Sequence, residues 1–103
     1  MTQSFKSCRE RITTAFDVPF LRALADPVRV RILGELSEHP DGASVSALTG
    51  CCGIDFSGVS RHLKHLREAG LVSAEKHGRE TRYLLNREGA AMTLNAMANA
   101  LRA

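Results

Sequence analysis

The side chains in this 103-residue chain best suited to covalent or metal chemistry are three cysteines: Cys8 near the start, and Cys51 and Cys52 side by side. Adjacent cysteines rarely close a disulfide with each other, because the short ring strains the peptide between them. Both can turn toward one large soft ion, and thiolate suits zinc, mercury and, by the same softness, trivalent arsenic. Trigonal sulfur coordination needs a third thiol, which only Cys8 can supply, so the candidate ligand set is Cys8, Cys51 and Cys52. Cys8 also falls on an apolar stripe, where a free cysteine packs as a small hydrophobe. The same thiols allow a second chemistry. Cysteines near a helix N-terminus can have a depressed pKa, and a link from Cys8 to Cys51 or Cys52 would make a redox or reactive-sulfur switch.

The second concentration of chemistry is cationic. The net charge is +3, and residues 1–53 contribute none of it, with six basic and six acidic residues. Residues 56–82 hold Arg61, Lys64, Arg67, Lys76, Arg79 and Arg82 against Glu68, Glu75 and Glu80, with His62, His65 and His77 in the same window. If one stretch faces a polyanion, it is this one. In a helix over 56–69 the side opposite Val59, Leu63 and Leu66 presents Ser57, Ser60, Arg61, His62, Lys64 and His65. Each of these can donate a hydrogen bond and none is acidic. A helix about 10–12 Å across fits the major groove of B-form DNA, where arginine pairs naturally with guanine.

The elements that must carry these groups follow from spacing. Phe5, Cys8, Ile12 and Phe16 recur at helical intervals and predict a first helix over about 5–17. Pro19 interrupts, and Phe20 to Ala25 form a short second helix. Asp26-Pro27 starts a third over about 27–38, ended by the turn Pro40-Asp41-Gly42. A short helix over about 44–50 stops at Gly50, Cys51-Cys52-Gly53 forms a tight connection, and Asp55 caps the cationic helix. Two short helices so joined read as a helix-turn-helix over about 44–69. Strands over 71–76 and 81–85 make a hairpin with a basic tip. Asn86 then caps a last helix over about 87–102, whose Ala and Met face suits a partner subunit.

Composition bounds the function. The chain has room for a single domain, mainly α with a small β-hairpin. No apolar run approaches the roughly 18 residues of a membrane span, and the first residues lack a signal-peptide core, so a soluble cytoplasmic protein without membrane contact is expected. There is no Gly-rich phosphate loop, no Ser-His-Asp or Cys-His constellation and a single Tyr. An enzyme is not expected, nor an organic cofactor.

Ala25-Asp-Pro-Val-Arg-Val-Arg-Ile-Leu33, the short helix, Val59-Ser-Arg-His-Leu-Lys-His-Leu-Arg-Glu-Ala-Gly-Leu-Val72 and the hairpin together resemble the ArsR/SmtB family of metal-sensing winged-helix repressors over about residues 20–87. The resemblance implies a homodimeric winged helix-turn-helix with the first and last helices at the dimer interface, the wing at about 71–86, and operator DNA as partner. It implies that Ser57, Ser60, Arg61, His62 and Lys64 read DNA while Lys76, Arg79 and Arg82 contact phosphate, and His65 on the same face joins the candidate DNA-binding set. Arg29 and Arg31 stand open between a DNA role and an ordinary ion pair. Arsenic sensors of the usual type carry Cys-x-Cys in the short helix, where this chain has Ser46-Ala47-Leu48-Thr49. Zinc sensors use Asp and His on the last helix, and residues 88–103 contain neither. The thiol site is therefore expected to differ from both, with arsenite as inducer and mercury or another soft ion as alternatives.

Overall fold

The computed structural model describes residues 7–103, the side chain of Cys51 excepted. The elements run α1 (Cys8–Ala15), α2 (Val18–Leu24), α3 (Pro27–Leu36), α4 (Val45–Cys52), α5 (Phe56–Glu68), β1 (Val72–His77), β2 (Glu80–Leu85) and α6 (Arg87–Arg102). A polar side chain starts every helix by accepting a free first-turn amide. Ser7 takes Glu10 N, Asp17 takes Phe20 N, and Asp26 takes both Val28 N and Arg29 N. Ser44, Asp55 and Asn86 do the same for α4, α5 and α6. At α5 the fit is close: Asp55 Oδ1 lies 2.7 Å from Gly58 N. A Cβ on Gly58 would come within 2.8 Å of that oxygen, so a side chain there would shift the Asp55 carboxylate.

Several boundaries differ from the sequence-based expectation. Pro19, expected to stand between the first two helices, lies instead in the first turn of α2, whose cap is Asp17. Gly50 does not stop α4. Leu48 and Cys52, one turn apart, are both buried, and their shared face carries the helix on to Gly53, whose φ of 64° ends it. Cys51 and Cys52 therefore form the last turn of α4, and the connection to α5 is Gly53 to Asp55. The hairpin pairs Val72 with Leu85 through His77 with Glu80, which shortens the tip to Gly78-Arg79. Of the expected stripe on the first helix, Ile12 and Phe16 are half-buried, Cys8 is exposed, and Phe5 lies outside the described residues.

The core is built from Phe20, Ile32, Leu36, Leu48, Val59, Leu63 and Leu66, all less than 2% exposed, with Leu71, Val72 and Cys52 around them. Ala43 joins it by pairing with Tyr83 of β2 in both directions, at 3.0 and 2.8 Å, which ties the entry to α4 to the wing. α1 and α6 pack chiefly on each other. The chain spans 53 × 27 × 20 Å with a radius of gyration of 16.5 Å. About 13 Å is usual for a compact chain of this length. Met92, Leu94 and Leu101 of α6 and Val18 and Leu21 of α2 are exposed, an apolar surface that one copy leaves uncovered.

Candidate nucleic-acid interface and thiol residues

The amphipathic pattern of α5 sets the interface. Gly58, Val59, Leu63 and Leu66 are buried, which fixes the rotation of the helix and turns Ser57, Ser60, Arg61 and Lys64 outward. These four, with Phe56, Arg67 and Glu68, line an open groove of about 680 Å³ closed on its far side by Tyr83 of the wing. A second hollow continues it from Ser60 and Phe56 to Ser44, Ser46, Arg79 and Thr81. Among the described residues Arg61, Lys64, Arg67, Lys76 and Arg79 make no ion pair. The acids of the wing are engaged, Glu75 by His77 at 3.3 Å and Glu80 by Arg82 at 3.2 Å. What remains is a groove in which Arg61, Lys64 and Arg67 face a single acid, Glu68, so that the net charge is positive, with Ser57 and Ser60 beside them.

Not every expected residue faces this groove. His62 is half-buried on the α3 side, where Arg29 Nη1 lies 3.3 Å from its Nδ1. His65 lines a separate hollow with Pro19, Arg22, Ala23 and Arg29. Pairing of Lys76 with Thr81 and of Glu75 with Arg82 puts Lys76 and Arg82 on opposite faces of the hairpin. Arg82 is also held by Glu80. The same register puts Lys76 on the face of Tyr83, the one turned toward the groove. Arg67, Phe56 and Tyr83 belong to the groove although the sequence reading did not select them. For Arg67 the signal was available, since it follows Lys64 by three positions on one face.

Arg29 resolves as a structural group. Its Nε donates to Ala23 O at 2.7 Å and its Nη2 to Arg22 O at 3.1 Å, and Nη1 stands 3.7 Å from Asp26 Oδ2. The Arg29 amide donating to the Asp26 carboxylate holds that carboxyl below its ordinary value, helped by the Val28 amide and by the nearby Arg29 and His62, against a smaller opposing effect of burial. Arg31 reaches the carbonyl of Cys52 at 3.5 Å, at the end of α4.

The thiols are dispersed. Cys8 is exposed at the start of α1 and Cys52 is buried in the core at the end of α4. α4 packs chiefly on α3, α5 and β2, whereas α1 packs chiefly on α6. Among the described residues no three His, Cys, Asp or Glu side chains are grouped to hold a metal ion. No helix among them is long and apolar enough to cross a membrane.

Comparison with known proteins agrees with this architecture. A family profile described as a helix-turn-helix domain matches residues 24–73. The HTH-type transcriptional repressor SmtB of Mycobacterium tuberculosis is 41% identical over 81 residues, which are 78% of this chain and 58% of that protein's length. The chain thus spans little more than half of that relative. A solved structure of a possible transcriptional regulator for arsenical resistance superposes with a TM-score of 0.69 at 30% identity, covering 81% of this chain and 83% of that one. A homodimeric winged helix-turn-helix DNA-binding domain from Mycobacterium bovis, a possible ArsR-family regulator, gives 0.70 at 25% identity over 97% and 90%. The capped α4–α5 pair, the β1–β2 wing and these likenesses lead to one assignment: the chain belongs to the ArsR/SmtB family of winged helix-turn-helix transcriptional regulators.

Proposed function

We propose that this chain is a homodimeric cytoplasmic repressor that binds operator DNA through α5 and the wing and lets go when a thiophilic metal or metalloid, arsenite foremost, binds Cys8, Cys51 and Cys52. The observation that carries the DNA reading is the groove face of α5, where Ser57, Ser60, Arg61 and Lys64 stand outward and the wing's acids are already paired. Such a face enters the major groove with its first turns on base edges, while Lys76 and Arg79 meet the flanking phosphates. His62 and His65 contribute from the α2–α3 side, and Arg82 only after release from Glu80. The uncovered apolar residues of α2 and α6 support a dimer built on the terminal helices, as does the homodimeric relative.

The inducer reading rests on the donor set and on where Cys52 sits. Three thiols suit a soft ion. With α1 packed chiefly on α6 and α4 on α3, α5 and β2, the shared site takes Cys8 of the partner subunit. Cys52 is packed in the core, so binding must draw the last turn of α4 away from its place beside α5. The coupling is then mechanical: an ion that holds Cys52 outward favours a dimer whose reading helices no longer match the operator, and DNA weakens ion binding by the same factor. A relative described as a possible regulator for arsenical resistance supports arsenic as the effector.

The test is a titration of arsenite into the dimer bound to a duplex selected from a random library. Release from the wild type and retention by the Cys51→Ser, Cys52→Ser double variant are expected, and equal release by both overturns the reading. Release by peroxide or persulfide with no response to arsenite would assign the thiols to redox sensing. X-ray absorption on the arsenite-loaded protein is expected to give three sulfur ligands; two would remove Cys8 from the site.

A further inference from the structure

Arg29 and His62 meet at 3.3 Å, Nη1 to Nδ1, between the start of α3 and the middle of α5. An arginine guanidinium has donors only, at any pH a protein survives. A hydrogen bond at this contact requires Nδ1 as the acceptor, which puts the His62 proton on Nε2. The guanidinium has little freedom to leave: Nε is spent on Ala23 O at 2.7 Å and Nη2 on Arg22 O at 3.1 Å. Nη1 is further drawn by Asp26 Oδ2 at 3.7 Å. Among the described residues the Nε2 side of the His62 ring has no partner, and the ring is half-buried rather than enclosed.

We infer that Arg29 is a positioning residue for DNA recognition: it fixes the His62 ring with Nδ1 as acceptor and leaves Nε2–H as the donor for an acceptor on the operator. The inference rests on the DNA-binding reading of α5. It adds that a side chain tied down in the protein acts on DNA through another, and that His62 seeks a guanine N7 or O6, a thymine O4 or a phosphate oxygen rather than a donor such as the cytosine amino group. The end of α2, the start of α3 and the middle of α5 are thereby held in one register.

Two measurements test it. In the DNA-free protein, nitrogen-15 NMR at a pH where imidazoles are neutral should find His62 almost wholly as the Nε2–H form, with the Nδ1–H form rising in Arg29→Gln. A mixture in the wild type, or a ratio indifferent to Arg29, overturns the tautomer lock whether or not DNA binds. Should Arg29→Gln fold poorly, Arg29→Lys serves, with native-like spectra as its control. On DNA, Arg29→Lys and His62→Ala are each expected to weaken operator binding about tenfold, as for loss of a hydrogen bond to a charged or exacting partner. The double variant should be no weaker than His62→Ala alone. Additive losses with a shallower salt dependence would mean that Arg29 touches phosphate itself, and the inference fails. A His62→Ala loss equal on all duplexes would place the acceptor on phosphate, and a loss confined to the operator would place it on a base. Absence of binding to any duplex sinks the functional reading while leaving the tautomer measurement intact.

Discussion

The groove between α5 and the wing and the pair of arms formed by α1 and α6 are built on opposite plans. The elements that line the groove are positioned by contacts within one chain. Leu63 and Leu66 anchor the helix, Asp55 caps it, Ala43 and Tyr83 lock the wing, and the paired acids leave the cations free. The arms lack that closure: α1 buries no residue, and α6 buries only Met97 while Met92 and Leu101 stay largely exposed. A surface for a rigid polymer can be finished by one subunit. A surface for another copy of the chain is finished only by that copy, and Cys8 rides on the arm while Cys52 lies in the core.

Substitutions can break or sharpen this contrast. The largest effect is expected from Leu63→Ala, which empties a fully buried site beneath α5 and should cost about 2–5 kcal/mol in urea unfolding. Operator binding should fall with it. If affinity survives such a loss, α5 is not held by its own core. Next comes Arg61→Ala, expected to weaken operator binding by about 1–3 kcal/mol with unfolding unchanged and inducer response retained, by anisotropy titration. Unaltered affinity would remove the groove from the DNA surface.

The two cysteines should then separate the plans. Cys52→Ser places a hydroxyl in the core and is expected to lower stability by about 1–2 kcal/mol. Cys8→Ser, at an exposed position, should leave thermal unfolding of the metal-free protein unchanged. Both should blunt the arsenite response, and a stability loss in Cys8→Ser would mean that the dimer buries that thiol structurally. The smallest effect is expected at Asp26. Removing this cap in Asp26→Ala should cost about 1 kcal/mol. Its folded-state pKa lies below the ordinary 3.8, so its contribution is complete above that value and is lost as pH falls through the folded-state value. Unfolding from neutral pH down to about pH 5 should therefore show a constant gap between wild type and Asp26→Ala, narrowing only in stronger acid.

Much of this was legible in the chain. Caps at Asp26, Asp55 and Asn86, the stripe Val59, Leu63, Leu66 and the change of period after Gly70 mark local events, since capping and amphipathicity act over four or so residues. The helix-turn-helix and its wing follow from them. The end of α4 was less legible, because a glycine at an exposed helical position and a glycine that must turn left-handed look alike in a sequence. Burial of Cys52 beside Leu48 decides that Gly53 ends α4 and Gly50 does not.

The sequence by itself determined the fold, the cationic helix and the three thiols, because residue type and periodicity dictate which faces are apolar and which donors exist. Tertiary structure alone decided that Arg29 is tied to two carbonyls and to His62, that Lys76 and Arg82 stand on opposite faces of the wing, and that Cys8 is exposed on a helix packed chiefly on α6 while Cys52 is buried in the core. Those facts depend on strand register and on which helix packs against which, and such long-range pairings are set by the burial of the whole core.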